Sequence, residues 1–159
     1  MRINNIVKLI IALIICQLAG LVGSMFTSPS LYTWYVYLEK PSFTPPNWLF
    51  SPVWVILFVF MGIALYLLWK NFLKERAVRV ALVWFGGQLG LNILWSIIFF
   101  GLKTPFLAWL EILLLWVAIL VTIIKSIKVS KVAAVLLVPY FGWVSFAAVL
   151  NFYIWALNI

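Results

Sequence analysis

The chain has 159 residues, 67% of them hydrophobic, with 11 Lys or Arg and 3 Asp or Glu giving a formal net charge of +8. A soluble domain of this size could not bury so much apolar surface, so the composition indicates a membrane protein. One cysteine and no histidine exclude an internal disulfide, a histidine-based metal site and Ser-His-Asp or Cys-His catalysis.

Five continuously apolar runs occupy residues 6–26, 48–69, 80–100, 106–124 and 132–157. Each is close to the roughly 20 residues that a helix needs to cross the hydrocarbon core, and none shows the alternation of a barrel strand. The first run is long for a signal peptide and lacks a small-x-small cleavage pattern, so we interpret it as a helix. We therefore predict an all-α integral membrane protein, a five-transmembrane-helix bundle in a single domain over residues 1–159.

Residues 27–47 connect the first two runs. The stretch from Trp34 through Trp48, which includes the end of this connector and the first residue of the second run, has five aromatic residues and three prolines. Aromatic side chains bury area and prolines restrict the unfolded chain, so we predict an ordered connector rather than a disordered one. We interpret it as a lid, formed by Trp34, Tyr35, Pro45, Pro46 and Trp48.

Lysine and arginine are distributed unequally between the two ends of an alternating bundle. One end would carry only Lys40 and Lys103, and the other would carry Arg2, Lys8, Lys70, Lys74, Arg76, Arg79, Lys125, Lys128 and Lys131. Cations are enriched on the cytoplasmic side. This bias predicts a multi-pass cell-membrane protein with its N-terminus in the cytoplasm and its C-terminus and connector outside. It also accounts for the positive charge without a nucleic-acid partner.

The third run has two contrasting faces at helical spacing. Gln88, Asn92, Trp95 and Phe99 share one face and suggest the lining of an internal cavity. Gly86 and Gly90 lie on the opposite face in a Gly-x-x-x-Gly pattern, which permits close approach of helices. This pattern is consistent with packing within the chain or with a homodimer contact.

Aromatic and small residues form matching faces on the second and fifth runs. These faces comprise Phe50, Trp54, Phe58, Met61 and Leu65 on the second run and Leu136, Tyr140, Trp143, Ala147, Leu150, Asn151 and Ile154 on the fifth. Packing alone would account for them. The alternative is a flat-walled pocket under the connector for a planar, largely apolar ligand that stacks on indole rings.

Glu111 is the one carboxylate inside an apolar run. A carboxylate within a membrane helix is costly and marks a functional site by default. Because it lies near the start of the fourth run, a position at the membrane interface is equally open.

Four motifs strongly resemble the tryptophan-rich sensory protein family, TspO/MBR, which includes the mitochondrial translocator protein or peripheral benzodiazepine receptor. They are Trp34-Tyr-x-x-Leu-x-Lys-Pro-Ser-x-x-Pro-Pro-x-Trp48, Pro52-x-Trp54, Gly87-Gln-Leu-x-Leu-Asn-x-x-Trp-x-x-x-Phe-Phe-Gly101 and Pro139-Tyr-x-x-Trp-x-x-Phe-Ala-x-Val-Leu-Asn-x-Tyr-x-Trp155. The resemblance covers nearly the whole chain. There is no tail of the eukaryotic kind, so we expect a bacterial member.

The resemblance implies a five-helix bundle, commonly a homodimer, that binds porphyrins and benzodiazepine or isoquinoline carboxamide drugs. It places Trp54, Asn92, Trp95, Trp143, Ala147 and Leu150 at pocket positions, to which the face analysis adds Phe58, Gln88 and Tyr140. No cofactor or metal is required. Ala156 stands where the family's sterol pattern has an arginine, which puts cholesterol binding in doubt. Leu107 replaces a tryptophan of the mammalian proteins, whereas Glu111 keeps an acid where they have aspartate.

Three functions follow as hypotheses. We favour a sensor or transport protein for tetrapyrroles such as protoporphyrin IX. The second is an enzyme that degrades protoporphyrin under light and oxygen, with the indoles of Trp54 and Trp143 as the catalytic groups. The third is a small ion-coupled exporter, for which Glu111 is the candidate coupling group.

Overall fold

The computed structural model describes residues 4–70 and 76–159, and the long elements in these ranges are helices. They are α1 (Asn5–Thr33), α2 (Asn47–Trp69), α3 (Arg76–Ser96), α4 (Pro105–Ile127) and α5 (Lys131–Leu157). A short 3-10 helix spans Tyr35–Tyr37, and α3 continues as a π-helical turn over Ile97–Gly101. All five helices, α3 with its π-helical end, are long and apolar enough to cross a membrane. The predicted all-α five-helix membrane bundle is thereby confirmed. Arg2 and Lys74, two of the cations that predict the orientation, lie outside the described residues.

The helices begin where the sequence supplies caps or prolines. Asn4 accepts a hydrogen bond from the backbone of Ile6 at 3.2 Å, and Ser130 accepts one from the backbone of Ala133 at 3.2 Å. Such side chains satisfy amides that have no partner in the first helical turn. Pro105 occupies the first turn of α4, where a missing N–H costs least.

Helix α1 is longer than the apolar run that predicted it, and this is a correction. It passes residue 26 and continues through Pro29 to Thr33. Hydroxyl groups in these last turns bond to the carbonyls of their own helix: Thr27 bonds to Gly23 at 3.1 Å and Thr33 to Pro29 at 2.8 Å. Because the polar groups are satisfied locally, loss of hydropathy does not end the helix. The ordered connector therefore comprises residues 34–46 instead of 27–47.

Each helix packs against two main neighbours, in the order α1, α2, α5, α4, α3 and back to α1. The helices α1 and α2 approach closely at Gly62, where a Cβ atom would lie 2.9 Å from the Cα atom of Leu13. Only glycine permits this contact. We call the end of the bundle that carries residues 34–46 the connector end.

The core has two parts. The larger cluster includes Met61, Phe85, Leu115 and Leu137. A smaller cluster at the connector end contains Tyr35, Phe99, Phe100, Ala108, Leu150 and Ile154. Between and beside these clusters the bundle is hollow.

Candidate ligand-binding cavity

A cavity of about 540 Å³ lies in the connector half of the bundle. Its lining residues come from α1, α2, α3 with its π-helical end, α5 and the connector. Drug-sized ligands typically bind in cavities of about 300–1,000 Å³. The lining includes seven of the nine predicted ligand-binding residues: Trp54, Phe58, Asn92, Trp95, Trp143, Ala147 and Leu150.

Three tryptophans give the cavity its flat walls. The Trp54 ring stacks on Phe58, with centroids 5.6 Å apart and planes 29° apart. The Trp95 ring stacks on Phe99, with centroids 5.1 Å apart and planes 22° apart. The Trp143 ring meets the Phe50 ring edge-on. Each ring is held by a second ring, so the walls are pre-formed for stacking with an aromatic ligand.

Buried amides hold the Trp95 wall in place. The indole nitrogen of Trp95 donates to the side-chain oxygen of Asn151 at 3.0 Å. The amide nitrogen of Asn151 donates to the carbonyl of Pro105 at 2.8 Å. On the neighbouring turn, the amide nitrogen of Asn92 donates to the hydroxyl of Tyr140 at 3.0 Å. These bonds fix the rotamers of Trp95 and Asn92 at the cavity surface.

The π-helical turn adds two phenyl rings to one wall. The backbone nitrogen of Leu102 bonds to the carbonyl of Ile97 at 2.8 Å, the wide spacing of a π-turn. Phe99 and Phe100, although adjacent in sequence, are both buried and both line the cavity. The carbonyl of Phe100 accepts a hydrogen bond from the hydroxyl of Ser30 at 2.7 Å, which anchors the end of α1 to this turn.

Helix α1 forms a wall that was not predicted from the sequence. Small residues at helical spacing line the cavity along it: Gly20, Gly23, Ser24, Thr27 and Ser28. Their spacing of 3, 1, 3 and 1 is the signal that could have identified this wall, because it places all five on one face. At Gly20 the absence of a side chain makes room for the Phe58 ring, which would lie 2.6 Å from a built Cβ atom.

The connector closes the cavity through one of the predicted lid residues. Tyr35 is buried and lines the cavity, and Trp34 packs edge-on against Phe99 at 5.6 Å. Pro45 and Pro46 lead into α2 outside the lining, and the side chain of Trp48 is 71% exposed. The predicted lid is therefore only partly assembled over the cavity.

A lysine fixes the conformation of the connector. The ammonium group of Lys40 donates to the carbonyls of Tyr35 at 2.7 Å and Leu38 at 2.8 Å, and it lies 4.8 Å from the centre of the Tyr35 ring. Burial lowers the pKa of Lys40, an effect that the nearby charge of Glu39 opposes. Burial also raises the pKa of Tyr35 to about 12. The connector therefore presents a neutral phenol to the cavity at physiological pH.

A second contact ties the connector to the end of α5. Asn158 accepts a hydrogen bond from the backbone nitrogen of Glu39 and donates one to its carbonyl, both at 2.9 Å. Phe43 packs edge-on against Tyr153 at 5.5 Å. The connector is thus fastened across α5.

Two predicted ligand-binding residues lie behind the cavity instead of on its surface. Tyr140 is fully buried, and its hydroxyl accepts the hydrogen bond from Asn92. Its ring packs edge-on against the Trp54 ring, with centroids 6.3 Å apart. Gln88 is also fully buried, and its amide atoms have no hydrogen-bond partner within the part of the chain that the structure describes. The helical face was identified correctly, but residues deeper on it pack against the core.

Glu111 is enclosed by the bundle. Its side chain is 6% exposed, and neither carboxyl oxygen has a hydrogen-bond partner among residues 4–70 and 76–159. It lies outside the cavity lining. The carboxyl group therefore packs inside the bundle instead of on its outer surface.

Gly86 and Gly90 lie on the outer surface of α3. A Cβ atom built on either glycine would have no atom of the described residues within 4 Å. Packing against another helix of the same chain therefore does not explain the Gly-x-x-x-Gly pattern.

The chain is similar over most of its length to known proteins. The sequence model of the TspO/MBR family matches residues 12–156. The tryptophan-rich protein TspO of Archaeoglobus fulgidus is 46% identical over 155 residues, covering 97% of this chain and 99% of the relative. The protein of the same name from Chlorobaculum tepidum is 45% identical over 155 residues, covering 98% of each. The human translocator protein is 41% identical over 144 residues, covering 89% of this chain and 85% of the relative.

Proposed function

The chain belongs to the TspO/MBR family, and from this membership and the cavity we propose that it is a membrane tetrapyrrole-binding protein. Its ligand is protoporphyrin IX or a similar planar macrocycle, which it holds as a sensor or carrier. The same cavity takes benzodiazepine and isoquinoline carboxamide drugs. Orientation follows the cation bias, with the N-terminus in the cytoplasm and the connector outside.

The observation that carries this proposal is the set of indole walls around one cavity. Trp54, Trp95 and Trp143 come from three different helices and line the same space. A planar aromatic macrocycle gains from stacking on such rings and from leaving water. Asn92 and Asn151 supply the polar atoms that orient a ligand in an otherwise apolar site.

Binding is tested by quenching of tryptophan fluorescence with protoporphyrin IX in darkness. We expect saturable quenching that weakens on the order of tenfold in Trp143→Ala, because a stacking surface worth about 1–2 kcal/mol is removed. Trp48→Ala is the matched control, since Trp48 lies outside the cavity lining and is 71% exposed. Absence of saturable binding, or equal loss in both variants, would reject the proposal.

Light-dependent degradation of the bound porphyrin is a second candidate. It is favoured by the position of Trp54 and Trp143 on the same cavity and by the indole nitrogen of Trp143, which is buried without a partner in the described part of the chain. Dioxygen would add across a methine double bond of the excited porphyrin, and cleavage would leave two carbonyls containing both oxygen atoms. The electron-rich indoles would support this ring opening, and the cavity would shape the product.

The double variant Trp54→Phe with Trp143→Phe separates the two candidates. If the protein is an enzyme, a defined product formed under light is lost or altered while dark binding persists. The same product at the same rate in both proteins would leave a binding protein with incidental photochemistry. The third hypothesis, ion-coupled export through Glu111, has no support from the cavity, because Glu111 lies outside its lining.

A further inference from the structure

The seam between α1 and α2 connects the cavity with the surroundings of the bundle. Several residues on its two edges line the cavity and are also exposed at the protein surface: Ile14, Leu18, Leu21 and Ser28 on α1, and Asn47, Ser51 and Val55 on α2. Their spacing places each set along one edge of its helix. A side chain that faces both the cavity and the exterior marks an opening.

This opening lies within membrane-spanning helices, so it faces lipid along most of its length. Leu18 and Val55 are 52% and 51% exposed, and both belong to helices long enough to cross the membrane. By contrast, Tyr35 closes the connector end of the cavity at 2% exposure, supported by the bonds of Lys40. The cavity is therefore more accessible through the α1–α2 seam than through its connector end.

We propose that the ligand passes between cavity and bilayer through this α1–α2 seam, without lifting the connector. The seam is apolar at Leu18 and Val55 and polar near the connector end at Ser28, Asn47 and Ser51. It therefore selects an amphiphile dissolved in the membrane, with a flat apolar body and its hydrogen-bonding groups at the edge facing the connector end. This inference takes only the identity of the probe from the proposed function.

Gln17 bridges the two edges of the opening. Its amide nitrogen donates to the carbonyl of Val55 at 3.2 Å, and this bond joins α1 to α2. Toward the other end of the bundle, the helices meet at the Gly62–Leu13 contact, where a Cβ atom would lie 2.9 Å from backbone. Gln17 is therefore a positioning residue, which limits how far the two helices separate when a ligand passes.

Narrowing the seam tests the proposal. Val55→Phe places a phenyl ring at an edge of the opening, and Ile56→Phe places the same ring at the neighbouring position, which is 53% exposed and outside the lining. Stopped-flow quenching of tryptophan fluorescence by protoporphyrin IX, in proteoliposomes kept in darkness, gives the rate constants for association and dissociation. We expect both association and dissociation to slow at least about tenfold in Val55→Phe, because a higher barrier slows passage in both directions, whereas loss of a binding contact would speed dissociation. The control should behave as the parent protein.

Unchanged rates in Val55→Phe, or equal slowing in both variants, would overturn the proposal. If Val55→Phe does not fold, Leu18→Phe and its control Ile15→Phe repeat the test on α1. Leu18 lines the cavity, whereas Ile15 does not. Gln17→Met keeps the length of the side chain but loses its amide, so the rate constants for association and dissociation should both rise. If Asn158→Ala accelerates exchange while Val55→Phe has no effect, the route runs beneath the connector.

A readout without porphyrin separates failure of the route from failure of the proposed ligand. Cys16, the single cysteine of the chain, is replaced by alanine, and Ala147→Cys introduces a thiol at the cavity surface. An N-alkylmaleimide dissolved in the bilayer then labels this thiol, because the thiol adds across the carbon–carbon double bond of the maleimide. Slower labelling with Val55→Phe than with Ile56→Phe supports the seam even if protoporphyrin does not bind. Equal labelling rates reject the seam even if protoporphyrin does bind.

Discussion

The Trp95 indole donates a 3.0 Å hydrogen bond to the side-chain oxygen of Asn151 in the cavity wall. The amide nitrogen of Asn151 in turn donates a 2.8 Å bond to the carbonyl of Pro105, the first residue of α4. A single amide therefore joins α3, α4 and α5. It satisfies a donor on one side and an acceptor on the other, both partly buried. Its removal would leave Trp95 free to rotate and the carbonyl of Pro105 without this partner.

Replacing Asn151 with leucine is expected to lower the free energy of unfolding by about 1–3 kcal/mol, the usual cost of unsatisfied buried polar groups. In a Trp95→Phe background the same replacement should cost about 1 kcal/mol less, because the indole donor is already absent. Thermal unfolding of the four proteins in one detergent measures this coupling. Additive losses would mean that the two side chains do not act together.

Ala147 lies on the cavity surface of α5, between Trp143 and Leu150 along the helix. Ala147→Thr is expected to weaken bulky drug ligands on the order of tenfold, because extra atoms in a packed site cost about 1–3 kcal/mol. Ala147→Ser is the control, since it adds a hydroxyl with little bulk. Competition binding with an isoquinoline carboxamide measures the effect, and unchanged affinity in Ala147→Thr would contradict the position of the ligand.

The outer face of α3 is the proposed homodimer contact. Gly90→Leu is expected to abolish the dimer while preserving ligand binding by the monomer, because a large side chain prevents close approach of two helices. Gly87→Leu is the matched control: it also has no described atom within 4 Å of a built Cβ, but it lies off the Gly86–Gly90 face. Light scattering in detergent gives the mass. A dimer that survives Gly90→Leu would place the contact elsewhere.

Glu111 carries a buried carboxyl group without a hydrogen-bond partner among the described residues. Glu111→Met is expected to raise the free energy of unfolding by about 1–3 kcal/mol, because it removes unsatisfied polar atoms while keeping similar volume. Porphyrin affinity should stay unchanged, since Glu111 does not line the cavity. Destabilisation by Glu111→Met, with recovery in Glu111→Gln, would instead indicate a polar structural role. Proton-coupled efflux that disappears in Glu111→Gln would revive the exporter hypothesis.

Asn158 holds the backbone of Glu39 by two hydrogen bonds of 2.9 Å. Asn158→Ala is expected to make the connector about tenfold more sensitive to chymotrypsin at Tyr37 and Phe43, because two bonds of roughly 0.5–1.5 kcal/mol each are lost. The rate of cleavage at these sites, measured by mass spectrometry, tests this expectation. Asn5→Ala, at the opposite end of the bundle, is the control.

Helical periodicity was sufficient to predict the walls on α2, α3 and α5. Trp54, Asn92 and Trp143 were placed correctly because large aromatic and amide groups on apolar helices form conspicuous faces. The same reasoning placed Gln88 and Tyr140 on the cavity surface, although both are buried behind it. Periodicity gives the direction of a side chain from its helix, but it does not give the depth at which the neighbouring helix meets it.

Two features of the site were not predicted from the sequence. The wall on α1 is made by small residues such as Gly20 and Gly23, and in an apolar run these resemble ordinary helix-packing positions. The π-helical turn that turns both Phe99 and Phe100 inward depends on one wide backbone bond and on support from Ser30. Hydropathy contains neither kind of information.

The bundle is dense near Gly62 and hollow near the connector, so its two halves respond differently to solvent. Any molecule that fills the hollow half stabilises the folded state, by about 2.7 kcal/mol when its concentration is 100 times its Kd. Detergent monomers and lipids are such molecules. A melting temperature of this protein is therefore a property of the protein together with its solubilising medium, and a change of detergent acts as a change of ligand.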